Sequence, residues 1–258
     1  MNQHRDLTFC IPHYNNPRLL ERCLKSISTI THKCHVVIVD DCSSQENYSQ
    51  AKIIVNKFNF QRVELYRNFS NRGVSYTKNK CFRIAYFGWC VFLDCDDYLD
   101  HSEGKKMLQF LKSYDGYIAM FHCINDKTLR SHVEVDRSID IRVYASLGTG
   151  GEALTAVNKS LVSKPPYYGC LRGYEGLGII SLMKRHSCSV YLSILRPRVY
   201  TSDSTIQLSK GSGFKSRAHL IMRGHIYLIK NYSEFLTLNR KVKLYLLIIL
   251  YWGYGVLP

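Results

Sequence analysis

Short apolar runs alternate with helically spaced stretches along the first hundred residues. Residues 7–12 (LTFCIP) are continuously apolar, end in turn residues 13–17, and read as a buried first strand. Leu19, Leu20, Cys23, Leu24 and Ile27 recur at helical spacing over 18–30, behind Asn16 as N-cap and Pro17 at the first helical position. A second buried strand at 35–39 (HVVIV) stops at the short polar turn Asp40-Asp41-Cys42-Ser43-Ser44. The pattern then predicts a helix over 46–56, a strand near 63–66, a polar loop over 67–73, a helix over 75–86 and a fourth apolar run at 89–93. Strands that are apolar throughout, in the order βαβαβαβ, predict an α/β fold with a mostly parallel sheet covered on both faces. Such sheets bind ligands beyond the carboxyl ends of their strands. Residues 12–14, 40–41 and 94–97 are therefore expected to converge on one rim.

The second half is less regular. Residues 117–123 suggest another strand, 149–151 (TGG) a turn, 165–169 (PPYYG) a loop and 174–184 a helix. Residues 203–216 are polar, with two glycines. Without an internal repeat or an interrupting linker, this half is expected to complete the same sheet as a second lobe. The 258 residues and 46% hydrophobic content suffice for one large α/β domain.

Charge changes the picture. The chain carries a formal +15, from 35 Lys and Arg against 20 Asp and Glu. Nucleic acid, anionic lipid or a phosphorylated substrate would each suit it, as would a merely basic surface. Against this background, WCVFLDCDDYLD sets Asp94, Asp96, Asp97 and Asp100 directly behind a greasy run. Carboxylates so close repel, and something positive is expected among them. Asp94-Cys95-Asp96 has the D-x-D form, whose hard oxygens suit Mg²⁺ or Mn²⁺ bridging to a diphosphate. No G-x-G-x-x-G follows the first strand, which disfavours a dinucleotide-binding dehydrogenase, and no P-loop is present. The ten cysteines include no CxxC pair, and the N-terminus lacks a signal-peptide apolar stretch. They are expected to be reduced thiols in a cytosolic protein.

The blocks FCIPHYNNPRLLERCLKSI, VVIVDDCSS and NRGVSYTKNKCFRIAYFGWCVFLDCDDYLD resemble, in order and spacing, those of family 2 inverting glycosyltransferases of the GT-A fold. GTGGEALTAVNKSLV and GYEGLGIISLMKR look like that family's acceptor-side blocks. The resemblance implies a Rossmann-like central sheet flanked by helices, with a C-terminal acceptor-side helical region. It divides the chain into a nucleotide-sugar half (1–100), an acceptor half of the same domain (101–230) and a tail (231–258). Pro12 and Tyr14 would line the base and ribose, and Asp41 would accept a hydrogen bond from the base. Arg72 and Gly73 fall in the nucleotide-contacting loop, and Lys78 would approach a phosphate. Asp94, with Cys95 beside it, would bind ribose or donor sugar, Asp96 would hold Mn²⁺ or Mg²⁺, and Asp97 would orient or contact the sugar. Other readings stay open: Tyr14 as a packed aromatic, Asp40 and Asp41 as helix caps, Asp97 and Asp100 as charges opening a helix.

Inverting transfer needs a general base. The family's usual Glu-Asp pair reads Glu175-Gly176 here, leaving Glu175 as candidate, with a capping or salt-bridge role as its alternative and Asp203 in reserve. A late histidine of the family is replaced by Tyr200 and Thr201; His186 and His219 align poorly. Gly150-Gly151 would let an acceptor approach backbone closely. Beyond the cations at 210–223 and 239–243, the tail reads LYLLIILYWGYGVLP, short for a membrane span. Flanking cations with Tyr and Trp suit peripheral contact with an anionic membrane; packing on the protein or on a dimer mate is the alternative. The resemblance thus implies a metal-dependent transferase moving a sugar, most simply from a UDP-sugar, to a glycan hydroxyl, with a lipid-linked acceptor, in bacterial cell-surface polysaccharide synthesis. It would work from the cytoplasmic side of the membrane. A catalytically dead nucleotide-sugar binder is the first alternative. A nucleic-acid binder is the second, and no recognised nucleic-acid motif supports it.

Overall fold

A computed structural model of the protein describes residues 6–86, 88–124, 135–147, 153–171, 174–199 and 218–256. The predicted first half is present: β1 (Leu7–His13), α1 (Pro17–Ile30), β2 (His35–Asp40), α2 (Gln45–Val55), β3 (Arg62–Arg67), α3 (Val74–Ile84) and β4 (Trp89–Phe92). There follow β5 (Tyr98–Leu99), α4 (His101–Ser113), β6 (Ile118–Ile124), β7 (Arg137–Ile139), α5 (Ile141–Leu147), β8 (Leu154–Asn158), α6 (Glu175–His186), β9 (Val190–Val199), α7 (Ala218–Tyr232) and α8 (Leu238–Val256).

All the strands join one sheet, in the order β3-β2-β1-β4-β8-β6-β9-β5, with β7 also paired to β9. The first four strands are parallel. β8 runs antiparallel between β4 and β6, and β6 and β9 are again parallel. The second half therefore extends the first half's sheet, as the missing linker implied.

Side chains alternate between two cores. Cys10, Val37, Val39, Cys90 and Phe92 face one layer with α3 and α6. Phe9, Ile11, Val36, Ile38, Trp89 and Val91 face the other, with α1, α2 and α4. Burial on both faces is why these strands read as unbroken apolar runs. α1 and α2 cover one face and α3 the other, and strand order reverses between β1 and β4, the switch point at whose carboxyl ends sheets of this kind form a ligand crevice.

The caps agree with expectation at α1 and α4 and differ at α2. Ser44, not Asp40 or Asp41, caps α2 by accepting from the Asn47 N–H. Asn16 holds the N-cap position of α1 without a side-chain cap bond, and Pro17 opens the helix. Asp100 caps α4 through the Glu103 N–H.

Candidate active site

Two carboxylates at the end of β2 brace the crevice. Asp40 is fully buried and accepts from His13 Nδ1 at 2.8 Å, from the Ser43 N–H at 3.0 Å and from the Ser43 hydroxyl. Burial alone would raise its pKa; the bonds from His13 and Ser43 outweigh that and hold it below the usual carboxylate range. Asp40 thus ties the end of β1 to the turn after β2.

Asp41 clasps the expected nucleotide loop instead. Its Oδ1 accepts from Asn68 Nδ2 and the Arg72 N–H, both at 2.8 Å, and its Oδ2 from the Gly73 N–H at 2.7 Å. Gly73 opens α3 with φ 84°, a conformation that favours glycine. A carboxylate offers about four lone-pair positions. Three are used, which leaves room for one further donor. Pro12 is buried in β1, Tyr14 is exposed just beyond it, and the Arg72 guanidinium lies over the Tyr76 ring at 4.4 Å.

The acids behind β4 are not left to repel one another. Lys78, on α3 and 4% exposed, sits 2.8 Å from Asp94 Oδ1. Arg198, near the end of β9, lies 3.5 Å from Asp94 Oδ2, and its Nε and Nη2 grip Asp97 Oδ2 at 2.6 and 2.5 Å. Burial would raise the pKa of Asp94; Lys78 first and Arg198 second bring it below the ordinary value. Asp96 behaves oppositely. Burial, then the neighbouring Asp94 charge, push its carboxyl upward despite Arg198 and Lys78. Cys95 is buried, and burial keeps it a protonated thiol. Arg22 donates to the Asp96 backbone carbonyl at 2.5 Å and stacks over Tyr98.

Lys78 also reaches across the crevice. Its ammonium donates to Glu175 Oε1 and Oε2 at 3.1 and 3.2 Å. Glu175, one-third exposed, is the first residue of α6. Burial would lower the pKa of Lys78, yet Asp94 and Glu175 together hold it well above the usual amine range. One buried ammonium thus binds the acidic end of β4 to the start of α6. Two further contacts fix that helix. Asn79 exchanges a pair of hydrogen bonds with the Tyr167 backbone, at 2.7 and 3.0 Å, holding the 165–169 segment against α3. A Cβ on Gly178 would lie 2.2 Å from the Pro166 carbonyl oxygen, so α6 packs on that segment only because Gly178 has none.

The crevice therefore gathers Lys78, Asp94, Asp96, Asp97 and Glu175, with Asp41, Arg72 and Gly73 forming a second cluster beside β2. Among the described residues four carboxylates stand with Lys78 and Arg198, and with Arg22 included the acids still outnumber the cations. Such an acid-rich setting suits a divalent cation. Among the described residues no three His, Cys, Asp or Glu side chains close around one point. An ion held at Asp96 would draw its other ligands from diphosphate and water, the usual habit of Mg²⁺. Asp203, Tyr200, Thr201, Gly150 and Gly151 lie outside the described residues. Sequence reasoning missed Arg198, Arg22, Asn68 and Asn79. Each is a single polar residue in an ordinary context, and no local pattern marks them.

The profile of glycosyl transferase family 2 matches residues 8–152. The chain belongs to glycosyl transferase family 2. Among relatives of this family 2 chain is a GalNAc(5)-diNAcBac-PP-undecaprenol beta-1,3-glucosyltransferase of Campylobacter jejuni, 23% identical over 91% of this chain and 76% of that protein. An uncharacterised glycosyltransferase of Haemophilus influenzae is 24% identical over 61% of this chain, which spans about half (54%) of that relative's length. In fold it is similar to TarS of S. aureus in complex with UDP-GlcNAc, with a TM-score of 0.66 and 15% identity over 96% of this chain and 72% of that one. It is likewise similar to the mannosyltransferase PcManGT of Pyrobaculum calidifontis in complex with GDP-Man and Mn²⁺, with a TM-score of 0.63 and 15% identity over 96% and 73% of the two chains. The central sheet and flanking helices are those of a GT-A glycosyltransferase.

Proposed function

We propose that this family 2 chain transfers a sugar, with inversion at the anomeric carbon, from a nucleoside-diphosphate sugar to a hydroxyl of a lipid-linked glycan. The observation that carries this reading is the sharing of Lys78 between Asp94 and Glu175. It brings a carboxylate of α6, the helix that would face the acceptor, within reach of the acids that would face the donor. In the reaction the acceptor oxygen attacks the anomeric carbon, the bond from that carbon to the diphosphate oxygen breaks, and Glu175 takes the acceptor's proton. Asp41 would accept from the base, Arg72 and Gly73 would line the nucleotide, and Asp94 and Asp97 would orient the sugar. Asp96 would hold Mn²⁺ or Mg²⁺, which when bound stabilises charge on the departing diphosphate. The Mn²⁺ in the structure of PcManGT supports the metal. UDP-GlcNAc bound to TarS supports a UDP-sugar, and the polyprenyl-linked substrate in the name of the Campylobacter relative supports the acceptor class.

A thermal-shift screen of UDP-, GDP-, CMP- and dTDP-sugars, with and without Mn²⁺, tests the donor side, since a ligand that binds the folded state raises Tm. One donor should stabilise the protein in a Mn²⁺-dependent way and release nucleoside diphosphate when acceptor is added. Glu175→Gln should retain the shift and lose about 10²-fold or more of the turnover. Donor binding without release for any acceptor would favour a nucleotide-sugar binder, the reading that Gly176 in place of a second carboxylate suggests. The absence of any shift would overturn the proposal.

A further inference from the structure

The last helix is apolar on both sides. One face of α8, including Leu244, packs inward on α7, and the opposite face is exposed. That outer face carries Val242, Tyr245, Leu246, Ile249, Leu250 and Trp252, with Leu246, Ile249 and Trp252 each more than 60% exposed. A helix apolar all round is normally buried, and scattered single exposures would need no explanation, whereas a continuous stripe does. Arg240, Lys241 and Lys243 cluster at the start of the same helix, and the sequence carries no Asp or Glu after Glu234. The start of the stripe is thus bordered by positive charge, and the nearby acid, Glu234, is paired with Lys184 at 2.7 Å. Residues 244–256 are free of charge, and at ~1.5 Å per residue that stretch is roughly 20 Å long, short of the ~30 Å hydrocarbon core. Among the described residues no helix is long and apolar enough to cross a membrane.

We infer that α8 is an in-plane foot that seats this chain on an anionic membrane. Its outer apolar stripe beds among the acyl chains, Trp252 and Tyr245 lie at headgroup depth, and Lys241 and Lys243 meet lipid phosphates, while Arg240 faces inward towards His225. The occupant is a lipid surface rather than a second copy because Lys241 and Lys243, beside a Glu234 already paired with Lys184, would repel their own symmetry mates and attract an anionic leaflet. The foot is linked, through His225, to the residue that precedes the proposed base, and in this respect the inference rests on the function proposed above. Tyr251 of α8 packs against the His225 ring at 5.6 Å, and His225 Nδ1 hydrogen-bonds the Tyr174 hydroxyl. Tyr174 is the residue that precedes Glu175 at the start of α6. A chain of three packed rings therefore runs from the membrane foot to the residue that would meet a lipid-borne acceptor.

The two tryptophans make the test direct. Trp89 is buried and Trp252 is exposed, so a change in emission on adding vesicles reports α8. The full chain is titrated with vesicles of equal parts phosphatidylglycerol and phosphatidylcholine, and with phosphatidylcholine alone, at physiological salt. A blue shift and flotation with the anionic vesicles are expected, with binding at least tenfold weaker to the neutral ones. The double variant Leu246→Glu/Ile249→Glu should lose binding while keeping its circular dichroism and Tm, because both positions are exposed. Lys241→Ser/Lys243→Ser should weaken anionic binding about tenfold and leave neutral binding unchanged. Failure to bind anionic vesicles, or binding that survives Leu246→Glu/Ile249→Glu, overturns the inference. So does a stable dimer in sedimentation that this variant dissolves, since the stripe would then be an interface between copies. None of these readouts needs turnover, so their failure is distinct from failure of the proposed chemistry.

Discussion

Single side chains at the end of β4 behave differently according to what faces them. Asp94 is matched by two cations and Asp97 by one, whereas burial and its neighbour leave Asp96 with a raised pKa. A carboxyl whose pKa is raised by folding favours the folded state only below its unfolded pKa, and as pH rises through the folded value it becomes a liability. Asp96→Asn should therefore raise the metal-free Tm at pH 7, on the order of a degree or two, and abolish any further rise on adding Mn²⁺ with donor. Differential scanning calorimetry on the two proteins checks both signs. Lys78 is the reverse case. Lys78→Met strips two carboxylates of one shared partner and should destabilise by up to about 3 kcal/mol, read from urea midpoints. Lys78→Arg, which keeps the charge, should recover part of that. Much of this site was legible: the D-x-D, the Asp40-Asp41 turn and Glu175 all stand at ends of predicted elements. Arg198 was not, since it meets Asp94 and Asp97 across about a hundred residues of chain and sits in a strand that announces nothing.

At the level of elements, legibility followed burial. β1, β2 and β4 are covered on both sides and so wrote unbroken apolar runs into the sequence. β5 and β7, two and three residues long, are too short to leave a pattern. β9 was obscured because Arg196, Pro197 and Arg198 interrupt its apolar stretch. The pairing of β8 between β4 and β6 is decided by tertiary packing, which no local periodicity encodes. The placing of α6 depends on one missing methyl group. Gly178→Ala would drive a Cβ into the Pro166 carbonyl and push the helix off the 165–169 segment. We expect a loss of about 1–3 kcal/mol in denaturant unfolding. We also expect a fall in turnover with donor affinity retained, since Glu175 would move while the Asp41 clasp would not.

For the whole molecule, acid sensitivity should begin on α7, behind the start of α6, before the crevice carboxylates titrate. Burial first, and Arg240 second, lower the pKa of His225 to about 4. An unfolded histidine titrates near 6.5, so between those values the unfolded chain binds a proton that the folded chain refuses. Stability from this group is complete above about pH 6.5 and drains away as pH falls towards 4, by up to roughly 3 kcal/mol. Asp40 and Asp94, held low, begin to lose their share only in the carboxylate range below that. Melting curves from pH 7 to 4.5 should show the decline, and His225→Gln should flatten it by about one proton. The order of the strands carries a different consequence. β4 borders β8, and β5 borders β9, so the part that would take the nucleotide borrows its neighbours from the part that would take the acceptor. A polypeptide stopped at residue 100 would bare the flank of Trp89–Phe92 as an adhesive edge and strand Asp97 without its guanidinium. The two halves therefore cannot be traded as modules.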